Sequence, residues 1–178
     1  MMGNLVESNA RLREQVNELQ QQLLAFPQQT GQGALQQLVD EITRLKIVNG
    51  LIEITGPGLE LVIAGEITVY DVQDVINELR NAGAETIALN DQRLVVMSIV
   101  EERGRRIIVD GVTLTSPYVF RAIGDPETLR EACLRKGGIV DLVKSRDANV
   151  DIEAINRQEM TLPVYRRSYQ FRYARIAK

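Results

Sequence analysis

The sequence predicts an α+β protein: a ferredoxin-like, mixed but mostly antiparallel sheet with helices on one face, preceded by an N-terminal coiled coil. Three observations predict it. Apolar residues recur at spacings of three and four before residue 48, short alternating segments recur between residues 51 and 164, and amphipathic helical segments interrupt them. At 178 residues the chain has room for one domain with its own core plus an appendage. Its 44% hydrophobic and 25% charged residues are typical of a globular protein, and its 4% aromatic content leaves the core to Ile, Val and Leu.

The predicted stalk covers residues 1–48. Met2, Leu5, Leu12, Val16, Leu19, Leu23 and Phe26 occupy a and d positions of a heptad, and Asn9 takes the remaining a position. An Asn amide at a is best satisfied by the same amide on a second helix, so Asn9 sets the register of a parallel homodimer. The alternative is a single amphipathic helix lying on its own domain, whose apolar face would be wider than a strict a/d stripe. Pro27 and the Gly-containing run at 28–33 break the helix near 27–33. A second helix, with Leu35, Leu38, Ile42 and Leu45 out of phase with the first stripe, ends near Asn49-Gly50.

The domain is expected over residues 49–164. Strands at 51–55 and 59–64 flank a Gly56-Pro57-Gly58 turn, and a helix beginning near Asp71 buries Val72, Val75, Ile76 and Leu79 before Gly83 stops it. Strands follow at 85–89, 94–100, 105–109, 112–115 and 118–123, with Asp110-Gly111 as a hairpin turn. Asp125-Pro126 opens a helix through Lys136, because a carboxylate suits the N-cap and proline the first turn. Residues 139–146 fit a short helix or a buried strand. Residues 150–154 and 160–164 read as strands, the last at an edge because of Pro163.

Histidine is absent, which removes imidazole-based triads and the commonest metal ligand. No phosphate-binding glycine loop, dinucleotide fingerprint or nucleophile elbow occurs. Asp71, Asp74 and Asp125 fall at helix starts, where capping accounts for them, and Cys133 sits on a helical face as a buried thiol. No catalytic residue, metal or cofactor is therefore expected. With a net charge of −3, nucleic acid is an unfavoured partner, because its binding depends on clustered cations.

The run NELRNAGAETIALNDQRL at 77–94, with GPG at 56–58 and AIGDPETL at 122–129, resembles the bacterial YlxW-like family, a domain family often labelled division initiation protein. The resemblance extends from the coiled coil to Val164. It implies a non-catalytic envelope protein linked to cell division, with a single transmembrane helix before the coiled coil and the α/β domain outside the cytoplasmic membrane. This sequence contains no such span, so the expected membrane helix lies upstream and the chain as it stands is expected to be soluble. A protein or glycan partner at the envelope is the expected target.

Asn90, Gln92 and Arg93 lie between two predicted strands and are the candidate binding groups: amides offer paired donors and acceptors, and Arg93 offers a planar fork for carboxylate or phosphate. The structural alternative is that Asn90 caps a turn while the other two satisfy backbone carbonyls. The segment 165–178 forms a basic-aromatic strand or tail. Arg166, Arg167, Arg172 and Arg175 form its candidate surface, with Tyr165, Tyr169, Phe171 and Tyr173 on one side. It suits packing on the sheet or on a partner subunit, an anionic membrane surface, or a single-stranded nucleic acid, which makes a nucleic-acid-binding or regulatory dimer the alternative function.

Overall fold

The computed structural model describes residues 32–167 and Tyr173. Asn9 and the first heptad stripe, with Arg172 and Arg175 of the tail, lie outside the described residues. The chain divides into two units, Met1–Lys46 with Arg166–Lys178 and Ile47–Tyr165. Helix α1 (Gln32–Val48) carries local polar links typical of a helix surface, a bond from Gln36 to Asp40 and an ion pair between Arg44 and Glu41. Leu38 and Leu45, seven residues apart on it, are 47% and 48% exposed.

The second unit contains β1 (Ile54–Ala64), α2 (Val69–Asn81), β2 (Thr86–Leu89), β3 (Gln92–Leu94), β4 (Val100–Arg103), β5 (Arg106–Val109), β6 (Val112–Thr113), β7 (Tyr118–Ile123), α3 (Pro126–Leu134), α4 (Ile139–Arg146) and β8 (Asp151–Leu162). The main sheet has the order β3-β2-β7-β1-β8, with every neighbouring pair antiparallel. Because β1 and β2 both pair with β7 between them, they run parallel to each other and need α2 as a crossover. Strands β7 and β8 flank β1 in the same way, joined through α3 and α4. A second sheet, β4-β5-β6, is inserted between β3 and β7 in sequence, and Asp110-Gly111 turns its last hairpin with positive φ at both residues.

Strand alternation divides the side chains between the two faces of the sheet. Leu59, Leu61 and Ile63 of β1, Ile87 and Leu89 of β2 and Phe120 and Ala122 of β7 meet α2, α3 and α4 in one core, joined by Ile107 and Val109 of the small sheet. On the opposite face Ala88, Ile123, Met160 and Leu162 form a smaller cluster with Ile54 packed against it. Helix α4 settles the choice left open for 139–146: Ile139, Val140 and Val143 are buried at helical spacing.

Four expectations are corrected. Gly56-Pro57-Gly58 does not turn the chain; β1 continues through it with a register shift between Gly56 and Gly58. Pairing on both sides leaves no room for a turn, and the irregularity accommodates the proline, which has no N–H to donate. The close approach is tightest at Gly58, where a Cβ would stand 1.9 Å from the Ala122 carbonyl oxygen. Residues 150–154 and 160–164 belong to one edge strand, β8, which ends just before Pro163 because β1 is long enough to pair along its length. The strand expected over 94–100 stops at Leu94 and resumes at Val100, with Ser98 Oγ accepting from Val95 N–H to form a turn. Finally, α2 starts before Asp71. Thr68 is its N-cap, and Asp71 is the reciprocal partner in a capping box.

Asp71 also joins two helices. Arg146 at the end of α4 donates to it and, at 3.1 Å, to Asp74. Burial pushes the Asp71 carboxyl up, but hydrogen bonds from the side chain and backbone of Thr68 and the Arg146 guanidinium together hold it below the ordinary value of 3.8. A depressed carboxylate stabilises the fold above its unfolded pKa, and that contribution disappears as pH falls through the folded value.

Two outcomes follow from this packing. Gly58→Ala should cost about 3 kcal/mol in urea unfolding, the upper end for forcing atoms into a packed interior, and an unchanged midpoint would contradict the close approach. Asp71→Asn should cost about 1 to 2 kcal/mol at pH 7, with the gap to wild type closing as pH falls below 3.8. Parallel pH profiles for the two proteins would refute the coupling.

Candidate functional site

The positions read from sequence as binding groups separate in the structure. Asn90 begins the two-residue turn between β2 and β3 at a φ of 51°. Its side-chain oxygen accepts from Val119 N–H and its own N–H donates to Val119 C=O, both at 2.7 Å, so this side chain ties the turn to β7. Gln92 and Arg93 lie within β3 rather than in a loop, and both are buried. Their side chains take opposite faces of the sheet, as successive strand residues must. Arg166 and Arg167 are exposed.

Arg93 stands opposite Ala88, Ala88 opposite Arg121, and Arg121 opposite Glu60, so one row of residues crosses the sheet on the face away from the helices. Most charges in this row are matched. Glu60 accepts from Arg157 at 2.7 Å and lies 3.7 Å from Arg121, which also approaches Asp91 at 3.6 Å. The Glu60 hydrogen bond and charge hold the Arg157 pKa above its usual value.

Arg93 differs. It is 2% exposed, and its Nη2 donates to the Ile47 carbonyl at 3.0 Å. Among the described residues Nε and Nη1 have no acceptor and no carboxylate pairs with the guanidinium, and burial pushes its pKa down. The two ends of the domain close over its stem: Tyr165 N–H donates to Gly50 C=O at 2.7 Å, and a Cβ on Gly50 would lie 2.8 Å from Tyr165 Cβ and 3.3 Å from Arg93 Cγ. Gly50 is also at positive φ, so glycine is required twice over. Thr86, two residues before Ala88 and therefore on the same face, is buried, and its hydroxyl has no partner among the described residues. Thr86 and Arg93 line one cavity of about 130 Å³. Sequence reading found Arg93 but missed Thr86, because a threonine at a strand start gives no sign that its hydroxyl lacks a partner.

A larger cleft of about 270 Å³ is lined by Glu66, Asp71, Glu102, Arg105, Tyr118 and Arg146 among others. Its charges largely serve the fold: Asp71 caps and pairs as described, and Arg105 pairs with Glu66. Burial, followed by Glu66 and Glu102, pushes the Tyr118 phenol up. Cys133 is fully buried, and burial, reinforced by Glu78, pushes its thiol up to about 11, away from nucleophilic use. Among the described residues no three His, Cys, Asp or Glu side chains gather as a metal site, and no helix is long and apolar enough to cross a membrane.

Comparison with known proteins gives the chain its relatives. It is 34% identical to UPF0749 protein Rv1825 of Mycobacterium tuberculosis over all of this chain and 63% of that protein, so it spans less than two thirds of that relative's length. UPF0749 protein YlxW of Bacillus subtilis is 28% identical over 69% of this chain and 59% of its own. A crystal structure of an uncharacterised conserved protein from Mycobacterium tuberculosis superimposes with a TM-score of 0.68 at 33% identity, covering 77% of this chain and 99% of that one. The family model described as bacterial protein of unknown function (DUF881) matches residues 41–175. With that match and these relatives, YlxW among them, the chain belongs to the DUF881 family of bacterial proteins.

Proposed function

We propose that this chain is a non-catalytic, coiled-coil-dimerising protein of the bacterial cell envelope that presents the Ile47–Tyr165 domain to a protein or glycan partner, with a role connected to cell division. The carrying observation is the apolar stripe on α1. Leu38 and Leu45 lie one heptad apart and about half exposed, and a second copy of the helix would remove them from water. Burying a leucine fully is worth about 1.5 to 3 kcal/mol, so covering the exposed half of each contributes about half of that per residue to association. The site chemistry points the same way: the larger cleft commits its charges to caps and ion pairs, and the thiol is inert. The envelope location and the membrane helix upstream come from the family resemblance. For the sheet, the order β8-β1-β7-β2 with its two crossovers favours a ferredoxin-like core extended by β3 and the inserted hairpins.

Sedimentation equilibrium tests the association. The chain should sediment as a dimer, and the double variant Leu38→Asp with Leu45→Asp should shift it to a monomer whose domain melts as before. A monomeric wild type, or a variant that stays dimeric, would remove the stalk from the account.

A further inference from the structure

The cavity beside Arg93 contains an electrostatic imbalance that the fold does not resolve. A guanidinium carries five N–H donors, and here, among the described residues, one bond to a carbonyl and no ion pair must hold a cation that is only 2% exposed. An unpaired buried charge costs several kcal/mol. Thr86, another residue lining the cavity, adds a buried hydroxyl that is unused among the described residues. Orphaned donors on two residues that line one space, Nε and Nη1 of Arg93 and the hydroxyl of Thr86, call for an acceptor with negative charge.

We propose that this cavity is a carboxylate-binding site, in which Arg93 and Thr86 donate to the oxygens of a short aliphatic carboxylate. Charge selects a monoanion: one carboxylate neutralises Arg93, whereas dianionic phosphate would leave a net charge buried. Shape agrees, since a planar carboxylate matches a planar guanidinium. The remaining wall is largely apolar, with Val48, Leu94, Val95 and Val96, and accommodates the alkyl group that carries the carboxylate. Val48 and Val96 are 51% and 86% exposed, which places them at the solvent side of the cavity. Arg80, exposed and on the same wall, steers an anion inward, while Glu85 opposes multiply charged ones. Every residue lining the site belongs to Ile47–Tyr165, with Val48 at the end of α1.

The test uses the full chain at constant ionic strength, with acetate, inorganic phosphate, chloride, and the blocked dipeptide acetyl-Ala-Ala as the free acid or the C-terminal amide. The Arg93 Nε–H resonance of ¹⁵N-labelled protein should move with acetate and with the peptide acid but not with chloride or the amide, and the melting temperature should rise with the same ligands. Thr86→Val keeps the side-chain shape, removes only an unpartnered hydroxyl, and should fold at least as well as wild type. It should weaken the apparent acetate affinity about tenfold. Tighter binding of the peptide acid than of acetate assigns the site to a chain terminus, and equal or tighter binding of acetate assigns it to a free metabolite; either result supports the site. A response shared equally by chloride or phosphate, no response, as a resident water would give, or full retention of affinity in Thr86→Val would overturn it.

Discussion

Strand β1 must be hydrogen-bonded along both edges at once, and the rest of the domain is arranged around that requirement. Antiparallel pairing with β7 on one side and β8 on the other places β1 in the sheet interior. Its Leu59, Leu61 and Ile63 then face the helices, while Glu60 faces away and collects Arg121 and Arg157 from both neighbours. The approach to β7 is so close at Gly58 that no side chain fits. Crossover connections through helices follow, because strands that flank a common neighbour cannot be joined by a tight turn.

The two faces of the sheet consequently carry different chemistry. The helix face is a continuous apolar core, held at its end by Asp71 between Thr68 and Arg146. The opposite face mixes a small apolar cluster with a row of charges, and it is crossed at the β2–β3 side by the entering and leaving segments of the domain through Gly50 and Tyr165. Charges in the middle of that face are paired and partly solvated. Arg93, under the crossing segments, is neither. The contrast arises from position: a residue near the sheet edge is buried by chain that arrives from outside the sheet, and the described part of that chain brings one carbonyl and no carboxylate.

Local chemistry made much of this legible in the sequence. Strand β7, the Asp110-Gly111 hairpin and the Asp125 cap depend on neighbours within a few residues, and they formed where the residues indicate. What was illegible depended on distant chain. Gly56-Pro57-Gly58 has the composition of a turn, and only pairing with β7 and β8 holds it extended. Strand β8 was divided because Asn156, Arg157, Gln158 and Glu159 interrupt its apolar alternation, and the long partner strand carries it through them. At the candidate site, Arg93 stood out as a fork in a polar run, yet its burial depends on Ile47, Gly50 and Tyr165, remote from it in sequence. Thr86 was invisible for the same reason.

Native-state hydrogen exchange tests the governing role of β1 most directly. Amides of Leu59, Leu61 and Ile63 should be among the slowest in the domain and exchange only with global unfolding, their apparent free energy matching the urea-derived stability. Amides of edge strand β3 should open sooner. Exchange of β1 amides at a free energy well below that of global unfolding, or protection in β3 equal to that in β1, would contradict a fold organised around its doubly paired strand.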